Sequence, residues 1–459
     1  MAAAPEATSS TNPPRPPLRE ALAVYLKRRV LIVMFLGFSS GLPLALSGST
    51  LAVWMTEVGV NLKTIGLFAL VGTPYTIKFL WAPLIDALNV PFLSRLLGRR
   101  RGWLLLLQIL LLAVIVFVGG SDPAVSPFIV ALGVLGIATA SATQDIIVDA
   151  FRVESLDESE QAAGMAAYVA GYRVGALVST AGALFLVSYF QTLGFDHHAA
   201  WRAGYFAMAA LVLIGVVTTL VAAEPPQSAK AEATLEGENM LRRLYDAAVG
   251  AFTEFFSYKL AFTALVFVVL FKLTDALSGV MTAPFVIDLG FSRNEYAAII
   301  KGVGFAATLL GGFAGGFLAR ALTLPVSLFI GAVVQGLANL GFSWQAVLGH
   351  NIEWLTVAIV LENFTSAVAT VVFVAYLSAL CRNPLHTATQ YALLTALAAV
   401  GRTYLSAGAG FIVTGFAGFS GVGWAWFFVI CALAGLPALL LLVFLQHRGH
   451  FDGLGPARK

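Results

Sequence analysis

The chain has 459 residues, a formal net charge of +3, 11% charged residues and a mean hydropathy of +0.86. Soluble domains carry about 25% charged residues, so this composition excludes a soluble globular protein and leaves a polytopic membrane protein. Continuously apolar runs such as LLLLQILLLAVIVFVGG (104–120) exclude the alternating strands of a β-barrel and predict spanning helices.

Residues 1–29 are rich in Pro, Ala and Ser and read as a disordered cytoplasmic tail. The apolar run from Val30 is too long for a signal-peptide core and reads as a retained first helix. Six spans are predicted near 30–55, 64–87, 102–120, 124–150, 161–190 and 201–222. The long hydrophilic stretch EPPQSAKAEATLEGENMLRRLYDA (224–247) follows. Six more spans are predicted near 259–287, 294–320, 324–345, 352–380, 387–415 and 421–446. The fold class is therefore an all-α membrane protein of twelve helices in two six-helix bundles, 30–222 and 259–446. A cytoplasmic linker (223–258) joins them and a cytoplasmic tail (447–459) follows. Of the 27 Lys and Arg, 19 fall in one set of loops and 3 in the other. Positive charge marks the inner side, so both termini are expected in the cytoplasm. The halves echo each other: TEVGVN (56–61) ends the first span and IDLGFS (287–292) ends the seventh, a weak sign of internal duplication.

The loop WAPLIDALNVPFLSRLLGRRRGW (81–103) sets Asp86 before a basic cluster with Arg99, Arg100 and Arg101. The arginines alone read as an inner-face anchor. The carboxylate adds the possibility of charge-assisted pairs that break and reform, so a gating role is expected for the set.

In SATQDIIVDAFR (141–152), Asp145, Asp149 and Arg152 share one helix face. Asp145 lies about 10 Å deeper than Arg152, inside the hydrocarbon slab, where a lipid-facing charge costs at least about 2.5 kcal/mol. Asp149 and Arg152 read as a structural or gating pair near the interface. Lys78, about 12 Å above Asp86, is the expected partner of Asp145. A buried acid beside a lysine is a candidate for loading and releasing a proton.

Further charges lie deep in both halves: Arg173, Lys272 with Asp275 three residues on, Lys301, Glu362 and Arg402. Such placement points to an aqueous path for a charged solute. Proton coupling is expected on Asp145, Lys78, Asp275 and Glu362. Lys272, Arg173 and Arg402 offer cations, Tyr168, Tyr172, Tyr391 and Tyr404 offer aromatic faces, and Gln144, Asn363 and Gln390 offer amides for a substrate. Cys381 and Cys431 suit no disulfide scaffold. No ATP-binding motif, metal-ligand cluster, selectivity filter or nucleophile–base set stands out. An enzyme, a cofactor and a nucleic-acid partner are not expected.

Six plus six spans with an acid–RRR loop after the second resemble the major facilitator superfamily. The stretches LGFSSGLPLALSGSTLAVWM (36–55), LKTIGLFALVG (62–72), KFLWAPLIDAL (78–88), GRRRGW (98–103), SATQDIIVDAF (141–151) and GYRVGALVS (171–179) look like the AmpG family of muropeptide permeases. That resemblance implies a monomeric proton symporter in the bacterial inner membrane, with both termini cytoplasmic. Its implied substrate is an N-acetylglucosaminyl-1,6-anhydro-N-acetylmuramyl peptide, its roles peptidoglycan recycling and β-lactamase induction. The related acetyl-CoA transporters share the QD-x-x-x-D element. Transport of acetyl-CoA or another organic anion is the alternative.

Overall fold

The computed structural model describes residues 23–82, 85, 88–157, 160–225, 260–380, 387–416, 422–452 and 454, and no strand occurs among them. In chain order the apolar helices are α1 (Arg28–Glu57), α2 (Leu62–Ile77), α3 (Arg99–Gly120), α4 (Pro127–Ser155), α5 (Ala163–Thr192) and α6 (His197–Val221). The others are α7 (Ala261–Asp288), α8 (Arg293–Ala319), α9 (Leu324–Leu348), α10 (Ile352–Leu380), α11 (Leu394–Gly415) and α12 (Gly423–His447). All but α2 are long and apolar enough to cross a membrane. The span expected over 64–87 is interrupted: 3-10 turns at Phe68–Gly72 and Lys78–Leu80 flank a short α-helical piece, Thr73–Ile77. Gly72 disfavours a continuous helix, and Pro74, which has no backbone N–H, is suited to a new helical start. The expected linker (223–258) and N-terminal tail (1–29) lie largely outside the described residues, and the C-terminal tail is described at 447–452 and 454.

Helix contact in lipid depends on close backbone approach, and α1 and α5 show the device. A Cβ on Gly37 or Gly41 would stand 2.3 or 2.0 Å from the Tyr168 or Tyr172 carbonyl oxygen. Gly171 and Gly175 return the fit against the Met34 and Phe38 carbonyls. Elsewhere α3 packs on α4 and α6, α10 on α8 and α9, and α12 on α9 and α7. The two halves of the chain meet where α1 touches α7, α2 touches α11, and α5 touches α8. Helix geometry loosens along these lines: π-helical turns occur at Leu46–Thr50 in α1, Val178–Gly182 in α5, Ala297–Val303 in α8 and Gly401–Leu405 in α11.

The duplication is visible in detail. Gly59 and Gly290 both take positive φ, +76° and +87°, and close the first helix of their half with matching turns: Val60 N to Met55 O, and Phe291 N to Val286 O. This is a glycine-terminated helix end. The preceding carboxylate accepts an indole N–H in each half. Trp201 Nε1 donates to Glu57 Oε2 (3.0 Å) and Trp424 Nε1 to Asp288 Oδ2 (2.6 Å). The first helix of each half is thereby tied to the last. The tetrapeptide ALSG recurs at 45–48 and 276–279, at the spacing that relates Gly59 to Gly290.

Candidate functional site

The basic cluster at the start of α3 binds its own half. Arg100 forks onto Glu154 at the end of α4, Nε to Oε2 at 3.0 Å and Nη2 to Oε1 at 2.6 Å. Arg101 donates to the Thr219 and Leu220 carbonyls that end α6 (2.9 and 2.8 Å). Glu224 caps α3 in return, accepting from the backbone N–H of Arg100 and Arg101 (2.8 and 3.1 Å). Acids are favoured at helix N-termini and cations at C-termini, so three helix ends are clamped together. Arg99 opens α3. Asp86 lies outside the described residues.

Two acid–base pairs lie deeper. Trp81 Nε1 donates to Thr143 Oγ1 (3.1 Å), which fixes the 3-10 turn after α2 on α4. Lys78 Nζ then stands 3.7 Å from Asp145 Oδ2, beyond ordinary hydrogen-bond reach. Asp145 Oδ1 is buried with no hydrogen-bond partner among the described residues. Tyr75, Tyr168 and Tyr172 lie within electrostatic reach of Asp145, and Asp149 within reach of Lys78 and Arg152. The second pair is tighter. Lys272 Nζ donates to Asp275 Oδ2 (3.2 Å) and to Thr370 Oγ1 (2.6 Å), and Ser366 Oγ donates to Asp275 Oδ1 (2.7 Å). Asp275 is thus fully engaged across α7 and α10, whereas Asp145 meets its lysine only as a looser ion pair.

A central cavity of about 410 Å³ lies between α1, α2, α4, α7 and α11. Its polar wall includes Tyr75, Asp275, Arg402, Ser47 and Ser49. An apolar annex of about 180 Å³ shares Ser47, Phe68 and Gly279 and extends towards Met55 and Ile65. Arg402 makes no ion pair among the described residues. Thr76 and Thr403 hydrogen-bond across the halves at 3.1 Å beside it.

The other expected substrate residues separate. Arg173 and Asn363 line a different cavity of about 200 Å³ between α5, α8 and α10. Gln144 is fully buried, its Nε2 3.4 Å from Ser39 Oγ in the α1–α4 contact. The Tyr168 and Tyr172 rings touch at 6.3 Å, and Tyr404 is 39% exposed in the π-turn of α11. Glu362 accepts from Asn363 Nδ2 (3.0 Å). Gln390 and Tyr391 fall in the helical stretch Thr387–Val400, their side chains outside the described residues.

The sequence reading missed Tyr75 and the pair Glu57–Arg293. Tyr75 stands three residues before Lys78, the spacing of a shared helix face. Glu57 ends α1 and Arg293 starts α8. Their ion pair joins the halves while Trp201 holds the same carboxylate, and Arg293 lies over the Trp201 ring at 5.6 Å. His197 Nε2 is 3.7 Å from Glu57. A carboxylate and an arginine at helix ends read as loop charges without the third dimension.

Comparison with known proteins places this geometry. The Major Facilitator Superfamily profile matches residues 33–404. The anhydromuropeptide permease of Escherichia coli K12 is 39% identical over 424 residues, covering 92% of this chain and 80% of that one. A putative transporter AmpG 4 of Rickettsia felis is 33% identical, covering 93% and 98%. Among solved structures, a bacterial homologue of the human lysosomal transporter Spinster, inward-facing and unoccupied, superposes with a TM-score of 0.66 at 16% identity, covering 95% of this chain and 99% of that one. That likeness bears on the fold alone. The chain is a multi-pass membrane transporter, not an enzyme, and it belongs to the major facilitator superfamily and to its AmpG family of permeases.

Proposed function

We propose that the protein imports anhydromuropeptides across the bacterial inner membrane, driven by protons, through alternating access of two six-helix bundles. The bundles are 30–222 and 259–446, and both termini face the cytoplasm. The observation that carries this reading is the central cavity. Its arginine, Arg402, makes no ion pair among the described residues and faces a bound acid, Asp275, across a polar wall, with a loosely held acid–base pair behind Tyr75. An unpaired cation at this depth calls for water or an anion. The E. coli relative is named for anhydromuropeptides, which supply carboxylates for Arg402 and sugar faces for Tyr75. The cavity is smaller than a peptide-bearing disaccharide, so loading requires the halves to part.

Asp145 is the proton carrier in this reading. A proton on Asp145 leaves Lys78 unpaired, so the energies of the two cavity states change with protonation, as a differential binder must ensure. Asp275 is held by Lys272 and Ser366 and remains an anion that positions Lys272. Glu57–Arg293 closes the outer end of the path. Asp149, Arg152 and the α3 arginines brace the inner face, and their gating role is carried through α4 and α6. Uptake of labelled anhydromuropeptide into proteoliposomes, with and without an imposed pH gradient, tests the whole. Accumulation only with the gradient supports it. Preferential uptake of acetyl-CoA refutes the substrate assignment.

A further inference from the structure

The cavity of about 200 Å³ at the α5–α8 seam is not an appendage of the central one. It is its counterpart under the internal duplication. The central cavity uses α1, α2, α4, α7 and α11. The repeat pairs α1 with α7, and chain order then pairs α2 with α8, α4 with α10 and α5 with α11. The second cavity uses α1, α5, α8 and α10, each the mate of a helix lining the first. Ala276 lines the central cavity and Ala45, its match in the ALSG repeat, lines the second. Each cavity receives one arginine from the fifth helix of one half: Arg402 in the first, Arg173 in the second.

The counterparts differ in charge. Asp275 faces the central cavity, while among the described residues no acid lines the second. The seam's other polar groups are already used. Thr308 Oγ1 donates to Asn363 Oδ1 (3.1 Å), Asn363 Nδ2 donates to Glu362 and to the Ile359 carbonyl (both 3.0 Å), and Thr180 Oγ1 donates to the Ala176 carbonyl (2.8 Å). Among the described residues the Arg173 guanidinium makes no hydrogen bond or ion pair. Its five N–H donors stand about 20 Å into the span, where an unmatched cation is costly. The two cavities lie on either side of one turn of α1: Leu44, Ser47 and Gly48 face the first and Ala45 the second. Tyr172 is within electrostatic reach of both arginines.

We infer that the α5–α8 cavity is a second subsite, in which Arg173 takes a carboxylate on an arm of the same substrate whose body fills the central cavity. The inference rests on the transport reading above and sharpens it: the substrate carries at least two separated polar regions, one of them a carboxylate on a slender arm. A planar carboxylate matches the guanidinium fork in two-pronged geometry, and the smaller cavity admits a peptide tail rather than a disaccharide.

The test measures proteoliposome uptake, under an imposed pH gradient, of N-acetylglucosaminyl-1,6-anhydro-N-acetylmuramic acid with and without its peptide. The readout is the ratio of apparent KM values for the two ligands. Arg173→Gln is expected to shift that ratio about tenfold against the peptide-bearing ligand, the size of one charged hydrogen bond. Arg173→Lys is expected to keep most of the discrimination, and Asn363→Asp, which adds an acid to the cavity, to shift the ratio in the same direction as Arg173→Gln. Residual uptake of the peptide-free ligand reports folded protein. An unchanged ratio in Arg173→Gln overturns the subsite. So does a KM shift on replacing chloride by gluconate that mimics Arg173→Gln, because the cavity then belongs to a small inorganic anion. Wild-type protein that carries neither ligand instead removes the transport reading, and the subsite with it.

Discussion

The two halves carry one scaffold and two chemistries. Glu57–Trp201 and Asp288–Trp424 tie the first helix of each half to its last, and Gly59 and Gly290 end those helices in the same turn. The acid–base pairs do not match. In the second half Asp275 is satisfied by lysine and serine, and in the first Asp145 stands 3.7 Å from its lysine with one oxygen unpartnered among the described residues. The seams differ too. Where α2 meets α11, backbone fit does the closing: a Cβ on Gly410 would stand 2.1 Å from the Leu62 carbonyl oxygen, and one on Gly66 3.0 Å from the Ala407 carbonyl oxygen. Between the end of α1 and the start of α8, an ion pair does it. In the repeat, Leu62 occupies the place of Arg293, so only one carboxylate–tryptophan tie is also a bridge between halves. Duplication supplies the frame, and departures from it mark where charge is used.

The largest expected effect separates the acids. Asp145→Asn should abolish concentrative uptake, and Asp275→Asn should retain gradient dependence while raising apparent KM several-fold. Equal loss in both would erase the distinction. Next is the glycine seam. Gly410→Val inserts side-chain atoms into a backbone contact, which overpacking places at about 1–3 kcal/mol. A fall in melting temperature should accompany lost uptake, and normal uptake would show that this seam is loose. Arg402→Gln should raise apparent KM about tenfold, the loss of one charged hydrogen bond, with the protein still folded. Trp424→Phe leaves Asp288 without its indole donor at a cost of about 1–3 kcal/mol, read by thermal unfolding. Trp201→Phe should cost no less, because it also removes the indole that stacks on Trp54 at 5.3 Å. The smallest effect belongs to the bridge. Arg293→Leu reproduces the residue of the matching position and should increase labelling of an engineered cysteine at Ser49 from the outer side by about fivefold, the factor for about 1 kcal/mol, since Trp201 and His197 still hold the Glu57 carboxylate.

Much of this was legible in the sequence. Eleven of the twelve expected spans, the deep charges and the Lys78–Asp145 contact follow from hydropathy and from counting 1.5 Å per residue along α2 and α4. Lys272 and Asp275 declare themselves by spacing. Depth along a helix does not give azimuth, however, and that is where the reading stopped. Gln144 was expected to serve the substrate and is buried against Ser39. Arg173 and Asn363 were grouped with Arg402 but line another cavity. The α3 arginines read as a basic patch, and only packing reveals that Arg100 and Arg101 hold the ends of α4 and α6. Glu57 and Arg293, far apart in the chain, could not be paired by any local pattern.

The central claim is that Asp145 couples protons to transport, and proteoliposomes loaded with the two forms of the protein test it most directly. Wild type and Asp145→Asn are compared in gradient-driven accumulation of anhydromuropeptide and in counterflow exchange, which needs no net proton movement. Asp145→Asn is expected to exchange labelled substrate in counterflow yet fail to concentrate it under an imposed pH gradient. Accumulation equal to wild type would contradict the claim and make Asp145 a structural member of the bundle.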